Sequence, residues 1–332
     1  MEIVLPLIDE HVVADPAWRY WLRDLAADRS RVMMPVSLDP TAYNMPSPIR
    51  EMNFIRPAGL PLAPDNADGF RRVKRSLLKQ VTEWMCRILL PRRRDAPTSD
   101  ALMTEGLPKV SVFLSHAKAD GTVPAKRIRD YIYSQTQLAA FYDENDIAFG
   151  SAFAHVIDRA LDAGETAALI AVRSAVYALR PWCRREISRF RHPRLEPATP
   201  GKAQQWRLYP TLVVESIEGS GESFNIEEFG DSPCIGWNDA DPEIEEQIIT
   251  TVIREAMLVA FHAALGASIK TNPNEIVISW LPDRLTLFRI PALRQNKKRT
   301  VIYPGRGLSG QTLDDLWESF PKAEFIPFEE RI

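Results

Sequence analysis

The feature that most constrains the fold is a regular alternation of short apolar runs and amphipathic segments between residues 110 and 265. Runs such as 110–114, 139–142 and 166–172 have the length and composition of buried strands, and segments with helical spacing of apolar residues follow them. Because this order is typical of parallel strands joined by helical crossovers, it predicts an α/β fold with a sheet covered on both faces. Ligands bind such sheets beyond the carboxyl ends of the strands.

The segments on either side of this region predict smaller units. Residues 1–107 alternate extended and helical patterns and end in a basic helix and a polar, proline-containing linker, so we expect an N-terminal α/β or mixed accessory module. Residues 108–265 then form the central domain, and residues 266–332 read as a small C-terminal α/β unit. On an early helix of the first module, Trp18 and Trp21 are expected to lie in the core.

Composition excludes several classes of protein. The 41 basic and 44 acidic residues sum to a net charge of −3, which argues against a uniformly basic nucleic-acid binder. We see no apolar run near the roughly 18 residues of a membrane helix and no basic leader, so we expect a cytoplasmic protein with no membrane contact. The three cysteines are widely spaced and odd in number, which predicts neither a disulfide framework nor a metal site.

The near-neutral total hides two segments of opposite charge. Residues 71–94 hold nine Lys or Arg and one acid, whereas residues 215–246 hold eleven acids and no base. The basic helix could bind nucleic acid, although basic residues outside an amphipathic helix are usually a solvated face, and we do not expect nucleic acid as a partner. Docking of the two segments, within or between protomers, is the other interpretation.

Short motifs mark the carboxyl ends of the central strands. They are FLSH at 113–116, FYDE at 141–144 with the loop that follows, RSxxY at 173–177, and WCxxE at 182–186. In this order and spacing they resemble a TIR domain, the Toll/interleukin-1 receptor homology module. The resemblance covers about residues 108–263 and extends to prokaryotic TIR effectors.

The resemblance implies a flavodoxin-like parallel sheet and an enzyme that cleaves NAD+. NAD+ is then the substrate, and no cofactor is expected. It also implies a role in bacterial antiphage defence, a homo-oligomer formed through the TIR domain, and a possible regulatory partner protein. The alternative is a non-catalytic TIR scaffold that mediates protein–protein signalling contacts.

Glu186 is the candidate catalytic residue. Cleavage of the nicotinamide–ribose bond releases a neutral ring, so one carboxylate that stabilises an oxocarbenium-like ribose could suffice. Trp182 lies four residues earlier, which places both side chains on one helix face and predicts an indole wall beside the carboxylate. The competing interpretation is that Trp182 anchors the core and Glu186 is a solvated helix charge.

The resemblance places further residues at the substrate site. They are Ser115, His116, Asp143, Asp146, Phe149, Ser174 and Tyr177. An isolated His such as His116 is more often structural, and no cluster with ligand spacing surrounds it, so we do not expect a metal. The loop 143–150 is expected to cover the substrate. Cys183 is expected to be a small buried packing residue.

A second motif lies near the end of the chain. Residues 305–310 (GRGLSG) match G-x-G-x-x-G, follow a strand pattern, and are followed about 20 positions later by Glu329, as the dinucleotide fingerprint requires. Pro304 and the short helix that follows favour the other interpretation, a glycine-containing connection in an accessory unit.

Overall fold

The computed structural model describes residues 2–28, 30–60, 66–89, 110–142, 166–196, 204–216, 227–295 and 297–331. The chain divides into two compact units, with the boundary between residues 88 and 109. The predicted linker, residues 91–107, and much of the acidic segment, residues 217–226, lie outside the described residues.

The first unit contains two short pairs of parallel strands and three described α-helices. These elements are β1 (Glu2–Val4), β2 (Leu7–Ile8), α1 (Glu10–Ala14), α2 (Pro16–Ala27), β3 (Arg31–Met33), β4 (Val36–Ser37) and α3 (Ala67–Leu89). Strand β1 pairs with β3, and β2 pairs with β4. Pro6 separates β1 from β2, because proline has no N–H to give to a strand ladder.

Helix α2 contributes less to the core than its aromatic residues suggest. Leu22 is its one buried residue and packs in a cluster with Ile8 and Ile49. Trp18 and Trp21 are 48% and 52% exposed, and their rings contact each other edge to face at 5.2 Å. The expectation that these tryptophans are core residues is therefore wrong, since the helix turns a narrow aliphatic stripe inward and leaves both indoles in solvent.

Helix α3 packs as an amphipathic helix. Its Leu77, Val81 and Trp84 lie against a buried cluster that includes Val36 and Ile55. The basic residues at the start of the helix, Arg71, Arg72, Lys74 and Arg75, are exposed.

The second unit holds the remaining elements. They are β5 (Ser111–His116), α4 (Thr122–Gln135), β6 (Ala139–Tyr142), β7 (Thr166–Arg173), α5 (Pro181–Phe190), β8 (Arg194–Leu195), β9 (Gln205–Arg207), β10 (Thr211–Glu215), β11 (Cys234–Gly236), α6 (Ile244–Gly266), β12 (Glu275–Ile278), α7 (Arg284–Phe288), β13 (Arg299–Tyr303), α8 (Gly310–Ser319) and β14 (Ala323–Pro327). Their strands form two five-stranded sheets.

The first of these sheets has the spatial order β11-β10-β7-β5-β6, and every pairing in it is parallel. Numbered along the chain, this is the 2-1-3-4-5 order of doubly wound flavodoxin-like folds. Strand β7 is buried over nearly its whole length, as a central strand covered on both faces must be. The predicted α/β class with a flavodoxin-like parallel sheet is confirmed.

The second sheet has the order β14-β13-β12-β9-β8 and is parallel except for the antiparallel pair β8 and β9. Strands β8 and β9 come from the chain between α5 and β10. The chain therefore leaves the first sheet after α5, contributes two strands to the second sheet, and returns to form β10. The strands predicted for the C-terminal unit share their sheet with a segment from inside the predicted central domain.

Helix α6 is the one described helix that is long and apolar enough to cross a membrane by length and composition. Its Ile248, Ile249 and Val252 are buried, and the helix contacts β7 and β10. That environment is typical of a helix covering the core face of a sheet.

Candidate functional site

The candidate site lies where two neighbouring strands of the first sheet end. Strand β5 ends with Ser115 and His116, and β7 beside it ends at Arg173. A turn of 3-10 helix, Tyr177–Leu179, then leads into α5. Helix α5 begins at Pro181, because the fixed φ and the missing N–H of proline suit the first turn of a helix.

A cavity of about 440 Å³ opens at this point. Its wall includes His116, Lys118, Arg180, Trp182, Cys183 and Glu186. The volume is in the range of small-molecule sites, and the position beyond the carboxyl ends of parallel strands is where such sheets bind ligands. Trp182 and Glu186, one turn apart on α5, both face this cavity.

The competing interpretation expects a buried Trp182 and an exposed Glu186, and the structure shows the opposite. Glu186 is only 5% exposed, whereas Trp182 is 52% exposed. The interpretation of Glu186 as a solvated helix charge and of Trp182 as a core anchor is therefore wrong. A buried carboxylate is costly unless hydrogen bonds compensate for its lost hydration, so the surroundings of Glu186 must supply donors.

Two buried hydroxyl groups supply that compensation. The Oγ of Ser115 donates to Oε2 of Glu186, and the hydroxyl of Tyr177 lies 2.6 Å from the same Oγ. Burial raises the pKa of Tyr177 well above its usual value, and the nearby Glu186 and Cys183 add to the effect. The phenol therefore stays protonated and can donate to Ser115, whose own proton goes to the carboxylate.

Three predicted substrate-binding residues are buried and do not line the cavity. Ser115, Ser174 and Tyr177 are at most 2% exposed, and none of them lines the cavity. Ser174 contacts Oδ1 of Asp120 through its Oγ at 2.5 Å, and the other carboxylate oxygen accepts the backbone N–H of Val176 at 3.0 Å. Asp120, which the sequence analysis did not single out, thus ties the turn after β7 to the loop after β5.

Two cationic residues in the cavity wall were also missed from the sequence. Lys118 comes two positions after the FLSH motif, and Arg180 comes two positions before Trp182. Their positions directly beside the motifs were the available signal. The guanidinium of Arg185 lies 5.5 Å from the centre of the Trp182 ring, a cation–π contact on the same helix. Cys183 is buried, and its Sγ lies 3.5 Å from the carbonyl oxygen of His116.

The remaining predicted site residues, Asp143, Asp146 and Phe149, lie outside the described residues, as does the loop 143–150. Among the residues that the structure does describe, no group of three or more His, Cys, Asp or Glu side chains could hold a metal ion.

The glycine motif at 305–310 connects β13 to α8. Gly305 has φ +87°, a conformation that favours glycine, whereas a Cβ on Gly307 or Gly310 would meet no atom within 4 Å. The dinucleotide fingerprint uses its later glycines for close approach to the ligand and to the packed helix. Arg306 faces Glu329 at 4.0 Å, so the acidic residue of the pattern already has a cationic neighbour. These features favour a glycine-containing connection.

Comparison with known proteins agrees with the motifs. Residues 112–211 match the family model of the TIR domain, a span that includes every described residue named above in the cavity wall. No curated protein and no solved structure matches the chain. The match covers a little under a third of the chain and coincides with the sheet edge that carries the candidate site. The chain therefore contains a TIR domain.

Proposed function

We propose that the protein is an NAD+ glycohydrolase that breaks the bond between nicotinamide and ribose. NAD+ and water would give ADP-ribose, nicotinamide and a proton; attack by a nucleophile within the same molecule would give a cyclic product instead. The observation that carries the proposal is the buried carboxylate of Glu186 in the wall of a cavity of about 440 Å³ in a TIR domain.

The chemistry requires little more than this carboxylate. Nicotinamide is cationic in NAD+ and leaves as a neutral ring, so no acid is needed to protonate the leaving group. Positive charge develops on the ribose as the bond breaks, and the Glu186 carboxylate stabilises that charge. The hydrogen bond from Ser115, supported by Tyr177, holds the carboxylate in one orientation before substrate arrives.

Other residues of the cavity wall suit the rest of the substrate. The half-exposed indole of Trp182 offers a flat face on which an aromatic ring of NAD+ can stack. Lys118 and Arg180 place positive charge where it can attract the pyrophosphate. We therefore assign substrate contact to these three residues, and positioning of Glu186 to Ser115 and Tyr177.

Assembly and biological role extend the proposal. We expect the TIR domains to self-associate into a homo-oligomer, and we expect NAD+ cleavage in the cytoplasm to serve as an antiphage defence. If assembly completes the site, activity per protomer should rise with protein concentration.

Nicotinamide release by the purified full-length protein tests the proposal. Wild type should release nicotinamide, and Glu186→Gln should be slower by at least about 100-fold. Glu228→Gln is the matched control. The carboxylate of Glu228 lies 3.5 Å from Arg184, a residue of helix α5, but Glu228 does not line the cavity. This variant should keep wild-type activity.

Two outcomes would contradict the proposal in different ways. No nicotinamide release by concentrated wild type would favour the scaffold alternative. Undiminished release by Glu186→Gln would leave the enzyme activity but remove the mechanism. Mass spectrometry of the products distinguishes linear from cyclic ADP-ribose.

A further inference from the structure

A second cavity, of about 290 Å³, lies in the second sheet, well separated in sequence from the candidate NAD+ site. Arg299 begins β13 and Ala323 begins β14, and both residues line the cavity. Because these strands are parallel, the cavity lies at the amino-terminal edge of the sheet. The glycine motif 305–310 follows the carboxyl end of β13 and is therefore at the opposite edge.

The lining of this cavity is strongly cationic. It includes Arg294, Lys297, Arg299 and Lys322, and none of the described lining residues is acidic. A neighbouring cavity of about 480 Å³ shares Lys322 and adds Lys298, with Glu324 as its one acidic residue among those described. Like charges gathered around one concave surface repel one another, and an anionic ligand relieves that repulsion.

Arg299 provides a more specific observation. One end of its guanidinium donates to the carbonyl oxygen of Pro273 at 2.8 Å. Its Nε is buried and has no hydrogen-bond partner within the described part of the chain. Arg299 lines the cavity, and the N–H donors of a guanidinium group suit the oxygens of a phosphate.

The same cavity has an aromatic wall. Phe288 and Phe320 both line it, with ring centroids 4.9 Å apart and planes tilted by 48°. Phe320 is buried, whereas Phe288 is 43% exposed. An exposed ring held in place by a buried one is a surface on which a nucleobase can stack.

We propose that this cavity binds a nucleotide. Arg294, Lys297, Arg299 and Lys322 hold the phosphates, and Phe288 carries the base. The cavity volume of about 290 Å³ is close to the lower end of the range for small-molecule sites. This site is distinct from the cavity of Glu186, and the proposal does not depend on NAD+ cleavage.

Calorimetric titration of the full-length protein with ATP, adenosine and inorganic tripolyphosphate tests the proposal. ATP should bind saturably and at least about tenfold more tightly than either of its parts, because it alone uses both the cations and the ring. The double variant Lys297→Glu/Lys322→Glu should weaken ATP binding by at least about tenfold. Phe288→Ala should weaken binding of ATP but not of tripolyphosphate.

Two matched controls separate this cavity from the other candidate sites. Arg306→Glu makes the same kind of charge change at the glycine motif, and Glu186→Gln alters the first cavity. Both variants should bind ATP as wild type does, and the thermal unfolding midpoint of every variant shows whether it is folded.

Four results of these titrations would overturn the proposal. They are absence of saturable ATP binding by wild type, unchanged affinity in the folded Lys297→Glu/Lys322→Glu variant, loss of binding in either control, and equal affinities for ATP and tripolyphosphate. Affinity for single-stranded RNA that rises with its length would overturn it in favour of a nucleic-acid surface.

Discussion

At the scale of single residues, the candidate site depends on a buried carboxylate that protein hydroxyl groups stabilise in place of water. Glu186 is 5% exposed, and the donor that reaches its Oε2 is the hydroxyl of Ser115 at the end of β5. Tyr177 in turn approaches Ser115 from the turn before α5. A hydroxyl fixed by its own partner orients an acceptor better than one free to rotate.

We therefore predict that Ser115→Ala lowers kcat for NAD+ cleavage by at least about tenfold and leaves KM nearly unchanged. The change removes the donor that orients the carboxylate but no group that lines the cavity. It should also lower the free energy of unfolding by about 1–3 kcal/mol, because a buried carboxylate loses one of its hydrogen bonds. Nicotinamide-release kinetics and urea unfolding measure the two effects.

The control for this prediction is Ser134→Ala. Ser134 is exposed on α4, and its hydroxyl donates to the carbonyl oxygen of Asp130 in the same helix. This variant should match wild type in both measurements. Full activity of Ser115→Ala would show that Glu186 keeps its orientation without the serine.

At the scale of elements, helix α5 joins the candidate site to the second sheet. Arg191 directly follows the helix, is buried, and lies 3.7 Å from Asp283, the residue that caps the start of α7. Arg289 at the end of α7 donates to the carbonyl oxygen of Ser188 in the last turn of α5 at 2.8 Å. The helix that carries Glu186 is therefore held at its far end by the two residues that cap α7.

We predict that Arg191→Met lowers the free energy of unfolding by about 3 kcal/mol, because it leaves the carboxylate of Asp283 without its cation in a mostly buried position. Burial, together with the nearby Arg289, lowers the pKa of Arg191 and opposes the attraction of Asp283 and Asp231. Removing both charges in Arg191→Met/Asp283→Asn should then recover most of the loss, since asparagine can still cap α7. Urea unfolding of Arg191→Met, Asp283→Asn and the double variant measures the coupling energy between the two residues. Strictly additive losses of stability would show that the pair does not interact.

At the scale of the whole molecule, the two sheets of the second unit are connected by a chain that passes from one to the other and back. Strands β8 and β9 precede β10 in sequence but pair with the second sheet, and β9 pairs directly with β12. Leu208, next to β9, belongs to a buried cluster with Ile278 and Val301. The TIR sheet and the C-terminal strands therefore share one continuous stretch of core-forming chain.

We predict that a chain ending at residue 265 loses the cooperative unfolding of the second unit and becomes insoluble. The truncation removes β12 to β14, which leaves the edge of β9 and its apolar neighbours exposed. By contrast, cleavage at a protease site inserted between residues 108 and 109, where the chain passes from the first compact unit into the second, should leave the unfolding transition of the second unit unchanged. Scanning calorimetry and solubility measurements test the truncated and the cleaved protein. A soluble 1–265 chain with the wild-type unfolding midpoint would show that the first sheet folds without the second.

The sequence predicted the parts of this architecture that local patterns encode. The eight-residue strand β7 is visible in the sequence as an uninterrupted apolar run, and the 23-residue helix α6 is a long apolar helical segment, so the positions of both followed from the order of apolar residues. Strands β8 and β9, of two and three residues, carry no readable period, and their place in the second sheet could not be predicted. Trp18 and Trp21 were misassigned because a helical pattern shows which residues share a face, not how much of that face is covered.

In the candidate site, too, local sequence patterns predicted some features, whereas contacts between distant residues could not be predicted. The α/β order, the TIR motifs, and the choice of Glu186 and Trp182 as neighbours on one helix could all be predicted from the sequence, because each rests on residues close together in the chain. The burial of Glu186, its support by Ser115 and Tyr177, and the cations between α7 and β14 that surround a second cavity depend on how distant parts of the chain pack, so the folded structure was needed to find them. Ser115 lies 62 positions from Tyr177 and 71 from Glu186. Contacts over such distances arise from the packing of whole strands and helices, which determines which side chains meet and which lose their water.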